Sequence, residues 1–356
     1  MLRTMEHFLT LETFTEGITN YLAEHLYRNV ENENLWKALT EAAWKDNRIP
    51  ADVTVKDIMT SWVSKPGFPV LLVDQSDANF ICLGQEQFHH SSPTGALPTN
   101  TTWFVPVSIA YPMSASADFS NTVPKYWMTK SGLNIDLEER PFIINVQQTG
   151  YYRVNYDPQN WKDLAKVLKE DHLRIHKLNR AQLLDDSFQL ARTKHLSYET
   201  ALDISQYLTS EEDIVPWKAA LNSFEYIVKM IKGNATSQVY INFKNYMFRL
   251  ITPLYNSLGF EVSKTDSHMT LLKRKMVLDW LCQLDHPECI EKSKQMFALW
   301  MRNSTLNLID ANLHKVVYST AVRHGGEEEH GFVLQQFKAE TVDIEKERMK
   351  AAILAS

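Results

Sequence analysis

The sequence predicts a multidomain α+β protein: a helical block over 1–65, a small antiparallel β-sandwich over 66–157, and an α-helical solenoid over 158–356. Three observations predict it. Apolar residues recur at helix spacing before Lys65-Pro66-Gly67. Short runs rich in β-branched and aromatic residues, separated by Pro, Gly, Ser and Asn, follow that breaker. From about residue 158 the helical period returns and runs to Ser356.

The first block carries Phe14, Ile18, Tyr21 and Leu22, then Leu35, Leu39 and Ala42, then Val55, Ile58, Met59 and Trp62. Thr54 with Asp57 reads as an acidic variant of the capping box before the last of these helices. Pro66 disfavours helix at Lys65, and Gly67 supplies a turn. Trp36, Trp44 and Trp62 read as packing residues rather than a ligand-stacking set.

Strands are expected over 69–74, 80–83, 85–89, 101–109, 126–128, 142–146 and 151–156. The stretch 91–102 reads as a long exposed loop. Helices are expected over 159–169, 178–193, 197–208, 215–232, 236–257, 268–284, 287–302, 309–323, 326–338 and 343–355. Short loops join them, as in an irregular, HEAT/armadillo-like solenoid of helical hairpins.

Composition excludes several functions. Among 356 residues, 44% are hydrophobic, which suits buried cores and not disorder. The net charge of −6, with no long basic run, gives no attraction to phosphate backbones, so no nucleic-acid partner is expected. No apolar run approaches the ~20 residues that span a bilayer. The opening residues do not form a signal peptide. Three Asn-x-Ser/Thr sequons, at Asn100, Asn234 and Asn303, point instead to a secretory compartment.

Catalytic motifs are scarce. Every His is followed by a residue other than Glu, so the HExxH pattern of helical zinc hydrolases is absent. Cys282, His286 and Cys289 would offer three zinc ligands. The simpler reading is a local disulfide or two unlinked thiols. His324-Gly325-Gly326-Glu327-Glu328-Glu329-His330 resembles an acidic metal motif, but reads more simply as a helix start with its acids in the first turn. In Asp185-Asp186 one acid is expected in solvent and the other beside a base such as Arg180. No Gly-rich phosphate loop and no Gly-x-Ser-x-Gly occurs. No catalytic and no metal-binding residue is assigned.

The most specific string is Thr149-Gly150-Tyr151-Tyr152-Arg153-Val154-Asn155-Tyr156-Asp157. It resembles the end of the β-sandwich in gluzincin aminopeptidases of the aminopeptidase N type. Phe14-Thr15-Glu16-Gly17-Ile18, Asp57-Ile58-Met59-Thr60-Ser61-Trp62, Gly67-Phe68-Pro69-Val70, Asn179–Asp186 and Gly325–Glu329 match the same family in order, over essentially the whole chain.

The resemblance implies a fold and a function. Residues 1–65 would be the C-terminal helices of a thermolysin-like catalytic domain, and 158–356 the first part of a helical C-terminal domain. The family's zinc site, catalytic tyrosine and amine-gripping motif would all precede Met1. The chain is then expected to be a portion truncated at both ends. It would bind no zinc, although the full-length family does, and would be inactive alone. The resemblance also pairs Cys282 with Cys289, and places a second family disulfide near Ser319 and Ala355, where no cysteine stands. The implied parent is a plasma-membrane or extracellular enzyme whose partners are peptides. Apolar surface left open on the N-terminal block would favour self-association or a dimer with a full-length homologue. The alternative is a non-catalytic peptide- or partner-binding solenoid module.

Overall fold

The computed structural model describes residues 1–74, 80–90, 101–115, 117–129, 132–233 and 236–355. The chain opens with α1 (Leu2–Leu9), α2 (Leu11–Glu24), α3 (Asn32–Lys45) and α4 (Val55–Val63). Thr10, at φ 73°, breaks the path between α1 and α2. Gly17 lets α2 and α3 approach closely, because a Cβ there would lie 2.8 Å from Leu39 Cδ2 and 3.1 Å from Leu39 Cα. The expected capping box starts α4. Asp57 N–H donates to Thr54 Oγ1 at 3.0 Å, and Thr54 N–H donates to Asp57 Oδ2 at 3.0 Å.

Among the described residues, eight strands follow: β1 (Pro69–Asp74), β2 (Phe80–Gln87), β3 (Val105–Val107), β4 (Ile109–Ala110), β5 (Tyr126–Met128), β6 (Gly132–Asp136), β7 (Ile143–Ile144) and β8 (Arg153–Asn155). One sheet has the order β6-β2-β1-β8; β3 pairs with β5, and β4 with β7. The antiparallel expectation is corrected here. β1 and β8 run parallel, with Val70 opposite Arg153 and Leu72 opposite Asn155. Such a pair needs a long crossover rather than a hairpin, and residues 75–152 supply it. Two strands expected on either side of Gly84 are one, since Gly84 stays in register between Leu72 and Gly132. β6 is an addition. Its Gly-Leu-Asn-Ile-Asp composition is poor in strand formers, and its place is set by pairing with β2.

The helices α5 (Pro158–Asp171), α6 (Lys177–Arg192), α7 (Tyr198–Ser205), α8 (Ile214–Ile231), α9 (Gln238–Leu258), α10 (His268–Gln283), α11 (Pro287–Arg302), α12 (His314–His324), α13 (Glu327–Ala339) and α14 (Asp343–Ile353) complete the chain. α12 starts later than expected. Asn307 Oδ1 accepts the Ile309 N–H and Asp310 Oδ1 the Asn312 N–H, and such local turns compete with helix. Among the described residues, no helix is long and apolar enough to cross a membrane.

The chain forms two compact units. Met1–Tyr207 with Val215–Tyr226 make one; Leu208–Ile214 with Ile227–Ser356 make the other. Phe8, Trp103, Phe142, Trp161 and Trp217 are fully buried in the first unit, and Phe260, Phe297 and Tyr318 in the second.

Candidate functional site

The most constrained backbone lies in the turn between β7 and β8. Asn145 (φ 69°), Gln147 (φ 53°) and Gln148 (φ 51°) are all left-handed, a conformation that costs non-glycine residues about 1 kcal/mol each. The surroundings offset this cost. The Asn145 amide is fully buried; its Oδ1 accepts the Gly150 N–H at 2.8 Å and its Nδ2 donates to Gly150 O at 3.0 Å. Gly150 is required here, because a Cβ would fall 2.2 Å from the Tyr152 ring.

Two helices brace the same turn. From α6, buried Asn179 accepts the Gln147 N–H at 2.7 Å and donates to Asn145 O at 3.0 Å. Its amide also donates to Gln182 Oε1 at 2.8 Å, which orients it. From α1, Arg3 donates to Gln147 O at 3.1 Å and Gln148 O at 3.3 Å, and the Thr4 hydroxyl to Thr149 O at 2.9 Å. Nothing in the sequence spacing marks these residues, because the bonds that α1 and α6 make to the turn join segments more than thirty positions apart.

Beside the turn, Arg153 on β8 meets both acids of the α6 pair, Asp185 at 2.7 Å and Asp186 at 2.8 Å. Its guanidinium also lies over the Phe88 ring at 5.0 Å and the Phe68 ring at 5.8 Å. Burial would lower the Arg153 pKa, but the Asp186 and Asp185 carboxylates overcome that and leave it raised. Burial lifts the Asp186 carboxyl to about 7, against the pull of Arg153. Asp186 Oδ2 accepts the Val154 N–H at 3.1 Å, so the strand backbone occupies its second oxygen. The expected partner Arg180 turns elsewhere, donating to Ile175 O at 2.7 Å. This acid pair fastens helix to strand.

Cys282 and Cys289 form a disulfide between α10 and α11, with Cα atoms 5.3 Å apart. Both thiolates are thereby consumed, and the trio with His286 does not fit zinc. The His286 ring packs against Phe248 at 5.2 Å and Tyr255 at 6.1 Å. At 324–330 the acids open α13 as expected, and Glu329 accepts the Gly326 N–H at 2.8 Å. Gly325 has no room for a Cβ, which would sit 2.7 Å from Ala321 O. Among the described residues, no three His, Cys, Asp or Glu cluster as metal ligands would.

The tryptophans of the first block pack in differing degree. Trp62 is buried and donates to Phe104 O at 2.8 Å. Trp44 is exposed at its edge and donates to Val53 O at 2.9 Å. Trp36 is half-buried. Asn303 is exposed at the end of α11, where the Thr305 hydroxyl donates to its Oδ1 at 2.8 Å. Asn100 and Asn234 lie outside the described residues.

Known proteins match along the whole chain. The ERAP1-like C-terminal domain matches residues 141–356, and the Peptidase family M1 domain matches residues 1–62. Aminopeptidase N of Plutella xylostella is 34% identical over 95% of this chain and 36% of its own length. Human aminopeptidase N is 33% identical over 100% of the chain and 36% of its own length. Membrane alanyl aminopeptidase of Manduca sexta is 31% identical over 97% of the chain and 35% of its own length. The chain thus spans about a third of the length of these relatives. With one family domain matched at each end and aminopeptidase N relatives aligned throughout, the chain belongs to the aminopeptidase N-like members of peptidase family M1.

Proposed function

We propose that these residues form a non-catalytic C-terminal portion of a zinc aminopeptidase that removes N-terminal residues from peptides, and that this polypeptide is inactive alone. One observation carries the reading. The aminopeptidase N relatives align along the full chain, yet none of its twelve His residues begins an HExxH motif. Zinc in such enzymes supplies the Lewis acid and the activated water. The donor set here does not fit it, so no step of hydrolysis is assigned to these residues.

In this reading residues 1–65 are the last helices of a thermolysin-like catalytic domain, 66–157 a sandwich, and 158–356 the start of a HEAT/armadillo-like solenoid. The family match that ends at residue 62 supports the first boundary, and the return of helices from Pro158 supports the second, although the C-terminal match already begins at residue 141. The helical part would wall the active-site chamber and limit entry to short peptides. A secretory setting is supported by the Cys282–Cys289 bridge, by the exposed Asn303 sequon as a glycosylation site, and by the membrane named for the Manduca sexta relative.

The test is release of arylamine from aminoacyl-arylamides by the purified chain in buffer containing zinc. No release above the blank is expected, and turnover would overturn the proposal. Titration of short peptides into the same chain separates the second reading. Tight, specific binding without turnover would identify a peptide-binding module instead.

A further inference from the structure

An eight-residue helix such as α1 does not hold itself together in water, where isolated helices below about 12–15 residues are marginal. Met1 supplies no side-chain cap for it. Its order therefore comes from docking. Phe8 packs edge-on to Trp127 at 5.2 Å, and His7 Nδ1 meets Thr122 Oγ1 at 2.7 Å. At the other end, Arg3 and Thr4 donate to three successive carbonyls, those of Gln147, Gln148 and Thr149.

Those carbonyls are presented by the left-handed path through Asn145, Gln147 and Gln148. That path is also held from α6 by Asn179, whose hydrogen bonds go to Gln147 N–H, to Asn145 O and to Gln182. Asn179 thus supports the turn, and the turn supports α1.

We infer that the Asn145–Thr149 turn is a coupling element that fixes α1 according to the position of α6. α1 lies in the stretch matching the peptidase domain, and α6 in the stretch matching the ERAP1-like C-terminal domain. The turn is then a register link through which the C-terminal portion sets the peptidase helix. That meaning rests on the function proposed above; the coupling itself is a property of this chain.

Hydrogen exchange of the full chain tests it with three variants. Thr4→Val removes only the bond to Thr149 O. Asn179→Ala removes the brace from the α6 side. Each should speed exchange of the Leu2–Leu9 amides by about tenfold, the effect of losing a buried hydrogen bond, while α2, α3 and α4 exchange as before. The double variant should add little to the larger single effect, as expected of residues in one network. Should Asn179→Ala fail to fold, Gln182→Met keeps Asn179 in place but removes the acceptor that orients its amide, and a smaller acceleration is expected. Exchange in α1 that is unchanged by the Asn179 variant would overturn the coupling. Fully additive effects would overturn it too. Neither outcome involves metal or turnover, so failure here is separate from failure of the proposed function.

Discussion

Arg153 holds two acids from one helix, and its worth is testable by removal. Arg153→Met leaves the nearly fully buried Asp186 without its guanidinium, and breaking a buried pair costs about 3 kcal/mol. Asp185 is partly exposed, so Asp185→Asn should cost under about 1 kcal/mol. Urea unfolding of the three proteins checks the difference. The pH dependence follows from the direction of the Asp186 shift. Its folded value is raised to about 7, above the unfolded carboxyl value of about 3.9. Its contribution is therefore full below about pH 4 and is lost as pH rises through 7. Asp186→Asn should flatten the fall of the urea midpoint across that window. Nearness in the chain suggests Arg180 as a partner for this pair. Five positions on a helix turn a side chain about 140° away, whereas a strand crossing the helix reaches both acids at once. Long-range partners of this kind leave no trace in local spacing, and the bracing of Asn145 by Asn179 was hidden for the same reason.

Helices were legible because each buries a face at a 3.6-residue period, and their ends carry Thr54, Pro66 and Gly325-Gly326 as visible signals. The sheet was less so. β6 has few apolar residues to repeat, and the parallel β1–β8 pair depends on a crossover that no turn dipeptide announces. At this scale the disulfide matters most. It closes a short loop, with Cys282 and Cys289 seven positions apart. Loop-closure entropy for such a span stabilises by about 2.5 kcal/mol. Cys282→Ser with Cys289→Ser should lower the stability of the unit holding α10 and α11 by roughly that amount. Limited proteolysis of that unit along a urea series measures it; no change on removing the bridge would contradict the estimate.

Across the whole molecule, the first block shows apolar side chains to solvent. Leu11 is 66% exposed, Leu22 58% and Leu26 61%, all on or just beyond α2. Such a face favours association. Leu22→Lys with Leu26→Lys should shift the chain toward monomer in sedimentation velocity at fixed concentration. An unchanged distribution would show that this face does not drive association. Family membership was legible because the Thr149–Asp157 string is both long and specific. The coupling between its neighbours was not, since it arises only when β7, β8, α1 and α6 converge.

Metal stoichiometry is the most direct measure of the central proposal, that these residues belong to a zinc aminopeptidase but hold none of its catalytic machinery. The purified chain is equilibrated with excess zinc, passed through gel filtration and analysed by elemental mass spectrometry. The expected result is substoichiometric zinc that a weak chelator strips without changing the fold. One tightly held zinc per chain, accompanied by arylamide turnover lost on chelation, would contradict it.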